Sequence, residues 1–185
     1  RVSLPLVGML MMPTLTAFVR AWPEIELDLD FTDRLVDVID EGFDAVVRTG
    51  EVSDSRLMMR VLGAYHHQIV AAPDYLDRRG TPRTPDDLLS HACLHHRYPT
   101  TGKLERWPLK RGRKALDIAL PQSAIANNIE PLIHMAEQGI GIACLPNFAV
   151  RQQIEEGRLV AVLADHVQNA GAFRVLWPSS RQLSP

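Results

Sequence analysis

Apolar and acidic residues alternate strictly along one short segment in the first quarter of the chain. The segment Pro23–Phe31 reads P-E-I-E-L-D-L-D-F. Because successive side chains of a strand point to opposite faces, this alternation predicts a half-buried strand with one acidic face. A strand-like Val2 and a helical repeat of apolar residues from Leu15 to Trp22 precede it, and a short apolar strand, Phe43–Val47, follows. With a helix between the last two strands, the order β-α-β-α-β predicts an α/β fold with a parallel sheet.

The helix between those two strands is predicted from its end signals. Thr32 or Asp33 can cap its first turn, and Gly42 is placed to end it. Its inner stripe is expected to consist of Leu35, Val36 and Ile39.

The second half of the chain returns to the α/β alternation after a proline-rich middle. Gln68–Ala72 predicts a strand, and Asn128 is placed to cap a helix that ends near Gly139. Ile140–Leu145 then predicts a strand, with Asn147 as the cap of the helix after it.

The last predicted strand, Phe173–Trp177, has no helix after it and can return to the first unit, so that the chain would cross between two lobes twice. We expect a first lobe of residues 1–70 plus 173–185 and a second lobe of residues 71–172. The second lobe is interrupted by a hairpin around Arg111–Arg113, between residues 107–109 and 115–120. Two lobes joined in this way leave a cleft, which is a common place for a small ligand.

Composition excludes several classes of protein. The 185 residues are 46% hydrophobic and 23% charged, which excludes disorder as a description of the whole chain. The formal net charge of −2 argues against a surface that grips DNA by itself. Apolar runs fall short of the roughly 18 residues that a membrane span needs. Two cysteines, Cys93 and Cys144, favour a reducing cytoplasm, although a single disulfide between them stays open.

One cluster could bind metal. His91, Cys93 and His95 would share a strand face, and imidazole with thiolate suits zinc or copper. A structural zinc site needs four ligands, and no second ligand pair at a standard spacing occurs in the sequence, so we expect no metal. Cys93 beside His95 as the nucleophile of an enzyme is a further alternative, but it lacks an oxyanion-hole motif.

We also expect no cofactor. The glycines of Gly139–Ala143 follow a helix and enter a strand, whereas a dinucleotide fingerprint needs the strand first. They are interpreted as a tight turn, and motifs for nucleophilic or paired-carboxylate catalysis are missing from the sequence. We therefore expect a binding protein that is not an enzyme.

The positions that remain lie at predicted strand ends and helix starts. Ligands of open parallel sheets gather at the carboxyl ends of strands, and helix N-termini with Arg48 or Arg97 favour an anionic group. The residues predicted to bind a small-molecule effector are Leu6, Val7, Gly8, Thr32, Arg48, Thr49, Gly50, His96, Arg97, Tyr98, Asn127 and Asn128.

A series of short motifs carries a resemblance to a known family. In chain order they are Arg1–Pro5, Pro13, Phe18, Pro23–Leu27, Asp33–Asp37, Glu41–Arg48, Ala72–Leu76, Gly80–Pro82, Asn127–Asn128 and Gly139–Pro146. In this order and spacing the chain resembles the effector-binding domain of LysR-type transcriptional regulators over its whole length.

The resemblance implies two Rossmann-like subdomains joined by two crossover strands, as in type 2 periplasmic binding proteins. By position it assigns the residues predicted above to the pocket between the two subdomains. Many members of the family carry Ser or Thr just before the glycine matched by Gly8. Leu6 and Val7 are apolar here, which implies a less polar effector.

The resemblance also implies a regulator with several partners. A small-molecule effector would control DNA binding through an N-terminal winged helix-turn-helix outside this chain, with RNA polymerase as a further partner and no membrane. We expect a homodimer of this domain, a homotetramer of the full-length protein and a cytoplasmic location. The alternatives are a periplasmic solute-binding protein of a transporter and, behind it, the metal-binding or Cys93-dependent enzyme.

Overall fold

The computed structural model describes residues 2–4, 11–32, 34–49 and 54–179. The chain divides into two compact units: unit 1 is Arg1–Ala64 with Gly171–Pro185, and unit 2 is Tyr65–Ala170. The chain passes between the units twice, in two long strands. Strand β4 (Leu57–Ala71) runs from unit 1 into unit 2, and β11 (Asn169–Pro178) returns.

Unit 1 is built on a parallel sheet, as the sequence predicts. Its elements before β4 are β1 (Val2–Leu4), α1 (Met12–Ala21), β2 (Leu29–Phe31) and β3 (Ala45–Arg48). Strand β1 pairs in parallel with both β2 and β3, and β11 joins β3 in antiparallel, so that the order is β2-β1-β3-β11. Strand β2 is shorter than the alternating segment predicted, since only three of its residues pair with β1.

The prediction of a helix after β2 is wrong for the part of that segment that the structure describes. Residues 34–42 form bends and turns, with Val36 and Val38 both buried, which is the spacing of an extended segment. Asp37 explains the difference, because its Oδ1 accepts hydrogen bonds from the backbone N–H groups of Ile39 and Asp40 at 3.0 and 2.9 Å. Such local bonds offer the backbone an alternative to the helix.

Unit 2 is a five-stranded mixed sheet in the order β10-β4-β9-β5-β8. Strand β5 is parallel to β8 and β9, and β4 is antiparallel to β9 and β10. Its elements after β4 are α2 (Pro73–Arg79), β5 (Cys93–His96), β6 (Lys110–Arg111), β7 (Lys114–Ala115), β8 (Ala124–Ala126), α3 (Ile129–Glu137), β9 (Ile142–Pro146), α4 (Asn147–Glu155) and β10 (Val160–Val162), with 3₁₀ turns at Pro85–Ser90 and Ala164–His166.

The core of unit 2 lies on both faces of this sheet. Successive residues of each central strand face opposite clusters: Cys93 packs with one and Leu94 with the other. The first cluster is completed by Tyr75 of α2 and by Trp107, and the second by Leu132 of α3. A sheet covered on both faces is the doubly wound arrangement that the sequence predicts.

Two details of unit 2 depart from the sequence predictions. The hairpin β6–β7 turns at Gly112 but has only two residues in each strand, far fewer than expected. Asn147 does not cap α4, because Pro146 occupies the cap position and the Asn147 Oδ1 accepts a hydrogen bond from the His66 N–H at 3.1 Å. Asn128 does cap α3, as predicted, by accepting from the Glu130 N–H at 3.0 Å.

The glycines before β9 form the tight turn that the sequence predicts. Gly139 has a φ of +68°, and a Cβ at Gly141 would lie 2.6 Å from the carbonyl oxygen of Ala92. Side chains are therefore excluded at both positions for reasons of packing and backbone conformation. In the part of the chain that the structure describes, no helix is both long and apolar enough to cross a bilayer.

Candidate functional site

The carboxyl ends of three parallel strands meet at one edge of the sheet of unit 2. Strand β5 ends at His96, β8 at Ala126 and β9 at Pro146. The Arg97 N–H donates to the Ala126 carbonyl at 2.8 Å, which ties the segment after β5 to the end of β8. This edge is where open α/β sheets bind ligands. The structure thus brings the predicted residues His96, Arg97, Tyr98, Asn127 and Asn128 to one edge of unit 2.

The segment after β5 turns back on itself as a short hairpin. The Tyr98 N–H donates to Lys103 at 2.9 Å, and the Gly102 N–H donates to Tyr98 at 2.8 Å. The Glu105 N–H then donates to the carbonyl oxygen of His96 at 2.8 Å. The hairpin therefore returns the chain so that Glu105 lies beside the end of β5.

The carboxylate of Glu105 is the polar centre of this edge. His96 Nδ1 lies 2.8 Å from Oε2, and His67 Nε2 lies 3.4 Å from Oε1. All three side chains are largely buried, with 22% of Glu105 exposed against 16% of His67 and 12% of His96. Burial alone raises the pKa of Glu105, but the hydrogen bonds and charges of the two histidines outweigh it and lower the pKa to about 2. Glu105 is therefore ionised at neutral pH.

Aromatic rings surround this carboxylate and its histidines. Tyr65 lies edge-on to both His67 and Phe148, with ring centroids 5.7 and 5.5 Å apart, and His96 lies edge-on to Tyr98 at 5.5 Å. Burial, followed by the charge and hydrogen bond of Glu105, raises the pKa of Tyr98 well above its ordinary value. The edge of unit 2 thus combines flat apolar surface with a few fixed polar groups, which suits a small organic ligand.

Glu105, His67 and Tyr65 were missed by the sequence predictions. Glu105 follows a glycine-containing turn, and no motif marks it as facing His96. Tyr65 and His67 lie in a strand whose antiparallel pairing brings His67 opposite Pro146, at the end of β9. Strand order, which the sequence pattern does not give, is the information that would have found them.

The predicted residues of unit 1 that the structure describes also lie at strand ends. Thr32 follows β2, Arg48 ends β3, and Thr49 follows it. The Thr32 hydroxyl accepts from the Arg34 N–H at 3.2 Å, in a local turn and not a helix cap. Leu6, Val7, Gly8 and Gly50 lie outside the described residues.

Arg48 is the candidate anion-binding group of unit 1. Its side chain is half-buried, and burial lowers its pKa while the Asp54 charge opposes that shift. Its Nε is buried and makes no hydrogen bond with any residue that the structure describes. A guanidinium in this position can donate to a carboxylate or phosphate.

The histidines of the 91–95 segment are engaged in packing. His91 Nδ1 lies 3.1 Å from the Tyr75 hydroxyl, and His95 Nε2 lies 2.8 Å from the carbonyl oxygen of Pro121. Within the described ranges, no three His, Cys, Asp or Glu side chains are placed to share a metal ion.

Both cysteines are buried free thiols. Burial raises the pKa of Cys93 to about 12 and that of Cys144 well above its ordinary value. A nucleophilic cysteine needs its pKa lowered, so the environment of Cys93 is the opposite of what the enzyme alternative requires.

The model of the LysR substrate binding domain matches residues 2–185 of the chain. The chain belongs to the LysR substrate-binding domain family. An uncharacterized HTH-type transcriptional regulator of Haemophilus influenzae is 31% identical over 171 residues, which cover 92% of this chain and 59% of that protein. The chain thus spans little more than half the length of such relatives, which are named as transcriptional regulators.

Solved LysR regulatory domains share the whole fold. The regulatory domain of CrgA from Neisseria meningitidis aligns with a TM-score of 0.85 at 27% identity, covering 100% of this chain and 92% of that one. The regulatory domain of AphB from Vibrio vulnificus aligns with a TM-score of 0.83 at 27% identity, covering 98% and 91%. The α/β architecture with periplasmic-binding-protein-like subdomains is therefore confirmed, and so is the expected class of regulatory domain.

Proposed function

We propose that this LysR-family domain senses a small-molecule effector through the residues predicted at its strand ends. The observation that carries the proposal is the edge of unit 2, where His96 and Tyr98 lie beside the buried carboxylate of Glu105 and Asn128 caps the first turn of α3. Arg48 supplies an anion-binding group from unit 1. The other residues of the proposed site are Leu6, Val7, Gly8, Thr32, Thr49, Gly50, Arg97 and Asn127.

Effector binding would act by shifting a conformational equilibrium. A ligand that binds one arrangement of the domain more tightly than another changes their populations by its differential affinity. In the longer regulator, this change would alter how a separate DNA-binding domain is presented to its site. The formal net charge of −2 supports the proposal that the other domain, and not this one, contacts the DNA. RNA polymerase is a further proposed partner, and the cytoplasm is the proposed location.

The proposed assembly is a homodimer of this domain and a homotetramer of the full-length regulator. Helix α1, all ten residues of which the structure describes, buries none of its side chains. Phe18 and Val19 of this helix are 39% and 41% exposed. Since regulators of this family form oligomers, a second copy of the chain is the occupant we propose for this face.

The domain is proposed to have no catalytic activity of its own. The protonated, buried thiol of Cys93 and the packing roles of His91 and His95 support this. Assay of the purified domain for bound zinc, and for thiol reactivity at neutral pH, tests it; stoichiometric zinc or a rapidly alkylated Cys93 would contradict it.

A gel-shift comparison tests the proposed division of labour. The full-length regulator is expected to bind its own promoter DNA and to change its affinity or complex mobility when an effector is added. Residues 1–185 alone are expected to bind the same DNA negligibly at physiological salt. Sequence-selective binding by the domain alone would contradict the proposal.

A further inference from the structure

The buried carboxylate of Glu105 imposes a proton arrangement on the two histidines beside it. Each of its oxygens faces one imidazole nitrogen, Nδ1 of His96 and Nε2 of His67. An ionised carboxylate can only accept hydrogen bonds, so both of these nitrogens must carry a proton. If each ring holds only the proton that the carboxylate requires, the opposite nitrogen carries a lone pair.

The other ring nitrogen of His96 has no partner within the residues that the structure describes. Its Nε2 atom is buried and makes no hydrogen bond there. A buried acceptor without a donor costs free energy, and such groups are rare unless something outside the protein chain satisfies them. The atom lies on a residue at the carboxyl end of β5, the edge where this fold binds ligands.

We propose that Glu105 is a positioning residue of the effector site, holding His96 so that its Nε2 lone pair receives a hydroxyl or amine group of the effector. The proposal rests on the proposed function and names the chemistry of the group that unit 2 takes. The negative charge of Glu105 disfavours an effector carboxylate at this position, because like charges repel strongly where both are desolvated.

A purely structural role for Glu105 is the rival explanation. The same hydrogen bonds, with the same protons on the two rings, would hold the 97–104 hairpin against β5. The response of His96 Nε2 to a ligand group separates the two roles, since only the proposal requires one, and the proton positions test the premise that both roles share.

The test is ¹⁵N NMR of the histidine side chains of this chain at about pH 8, which shows for each ring whether one or both nitrogens carry a proton. In the wild type we expect His96 to be protonated at Nδ1 and His67 at Nε2. In Glu105→Gln the amide has one accepting oxygen, and its NH₂ group must donate to the other ring, so that one of the two histidines switches its proton. Glu155→Gln, the same change on the exposed face of α4, is the control and is expected to leave both rings unchanged.

A wild-type His96 protonated at Nε2 would overturn the proposal without needing any variant to fold. So would a Glu105→Gln protein that is folded and keeps both wild-type tautomers.

Three single-ring probes then test the group that Nε2 receives: benzyl alcohol, benzylamine and benzoate. Their ring suits the aromatic edge formed with Tyr65, Tyr98 and Phe148. Benzyl alcohol and benzylamine are expected to shift the His96 Nε2 resonance in the wild type, and this shift is expected to be lost in Glu105→Gln. Benzoate at the same concentration is expected to leave the His96 Nε2 resonance unshifted.

A larger shift with benzoate, an equal shift in Glu105→Gln, or no response to any probe would each contradict the proposal. These failures differ from a failure of the proposed function, which is tested through Arg48 and through DNA binding. For example, if the tautomers are as expected but no probe shifts the His96 Nε2 resonance, then His96 does not contact the effector. The proposed function would still stand, because the effector could bind elsewhere in the domain.

Discussion

The two units of this domain bury their apolar residues very differently. Unit 2 has a cluster on each face of its sheet, with Leu88, Leu132 and Leu145 fully buried. The described part of unit 1 has one small cluster, made of Val36, Val38, Phe43 and Val46. Its exposed large hydrophobic side chains are Phe18, Val19, Trp22, Ile25, Leu35, Met58, Met59, Val61 and Leu62.

This difference indicates two separate tasks. The core of unit 2 fixes β4 and β5, the strands that carry the two histidines beside Glu105, as the proposed binding edge requires. The exposed apolar side chains of Phe18 and Val19, at consecutive positions of α1, are typical of a surface that contacts another protein. Stability and self-association should therefore respond to different substitutions.

The largest expected effect is the loss of a core side chain in unit 2. Leu132→Ala removes a fully buried residue of α3 and is expected to lower the free energy of unfolding by about 2–5 kcal/mol. Ile140→Ala, at a 54% exposed position beside the same helix, is the control and is expected to cost less than about 1 kcal/mol. Denaturant titration measures both. Equal losses of unfolding free energy in the two variants would contradict the assignment of Leu132 to the core and Ile140 to the surface of unit 2.

The next effect concerns acid stability. The pKa of Glu105 is about 2 in the folded chain, against about 4.3 for an unfolded glutamate. The ionised carboxylate therefore stabilises the fold above about pH 4.3. This contribution is lost as the pH falls towards 2. The contribution is expected to reach up to about 3 kcal/mol. Glu105→Gln should therefore flatten the dependence of the unfolding free energy on pH between those values.

Asp54 of unit 1 provides the matched control for that measurement. Its hydrogen bonds to Arg56 also lower its pKa to about 2, but solvent screens this exposed pair. Asp54→Asn is expected to change the pH profile much less than Glu105→Gln. A larger change from Asp54→Asn would contradict the assignment of the buried carboxylate as the dominant acid-sensitive group of the two.

Substitution on α1 is expected to act on assembly and not on the fold. Phe18→Glu places a charge in the proposed contact between copies and should weaken dimerisation roughly tenfold or more, which is about 1.4 kcal/mol. Its thermal unfolding, measured at a concentration where both proteins are monomeric, is expected to match the wild type. Sedimentation at several concentrations measures the effect, with Leu89→Glu on an exposed turn of unit 2 as the control. Unchanged dimerisation would remove α1 from the interface.

The smallest effect separates the two roles of Asn128. Asn128→Ala removes the side-chain cap of α3 and is expected to cost about 1 kcal/mol of stability, whereas Asn128→Ser keeps a capping oxygen and should cost little. If Asn128→Ser keeps the stability but weakens effector binding, the amide NH₂ group contacts the ligand. If neither variant changes stability, the capping assignment is wrong.

Local signals in the sequence were enough for much of unit 2. Asn128 and Gly139 mark the two ends of α3. The predicted ends of the strands placed His96 and Asn127 at the same edge. The order of short motifs led to the family, and with it to the fold. These features depend on neighbouring residues or on a pattern carried by the whole chain.

Features that depend on tertiary contacts could not be predicted in this way. The apolar residues of the 34–42 segment have helical spacing, but Asp37 bonds to the backbone and overrides it. Asn147 precedes a helix like a cap, yet its side chain bonds to a residue 81 positions earlier. Glu105 has no motif at all, because its importance comes from the fold bringing His67 and His96 to its two oxygens.

The central claim is that the domain binds a small-molecule effector through residues that include Arg48 and Tyr98. Thermal unfolding in the presence of a library of small metabolites, measured for the wild type and for Arg48→Gln, Tyr98→Ala and Glu155→Gln, tests it most directly. We expect at least one compound to raise Tm saturably, with most of that rise lost in both Arg48→Gln and Tyr98→Ala and kept in Glu155→Gln. A rise in Tm that survives either of the first two substitutions, or a library in which no compound raises Tm, would contradict the claim.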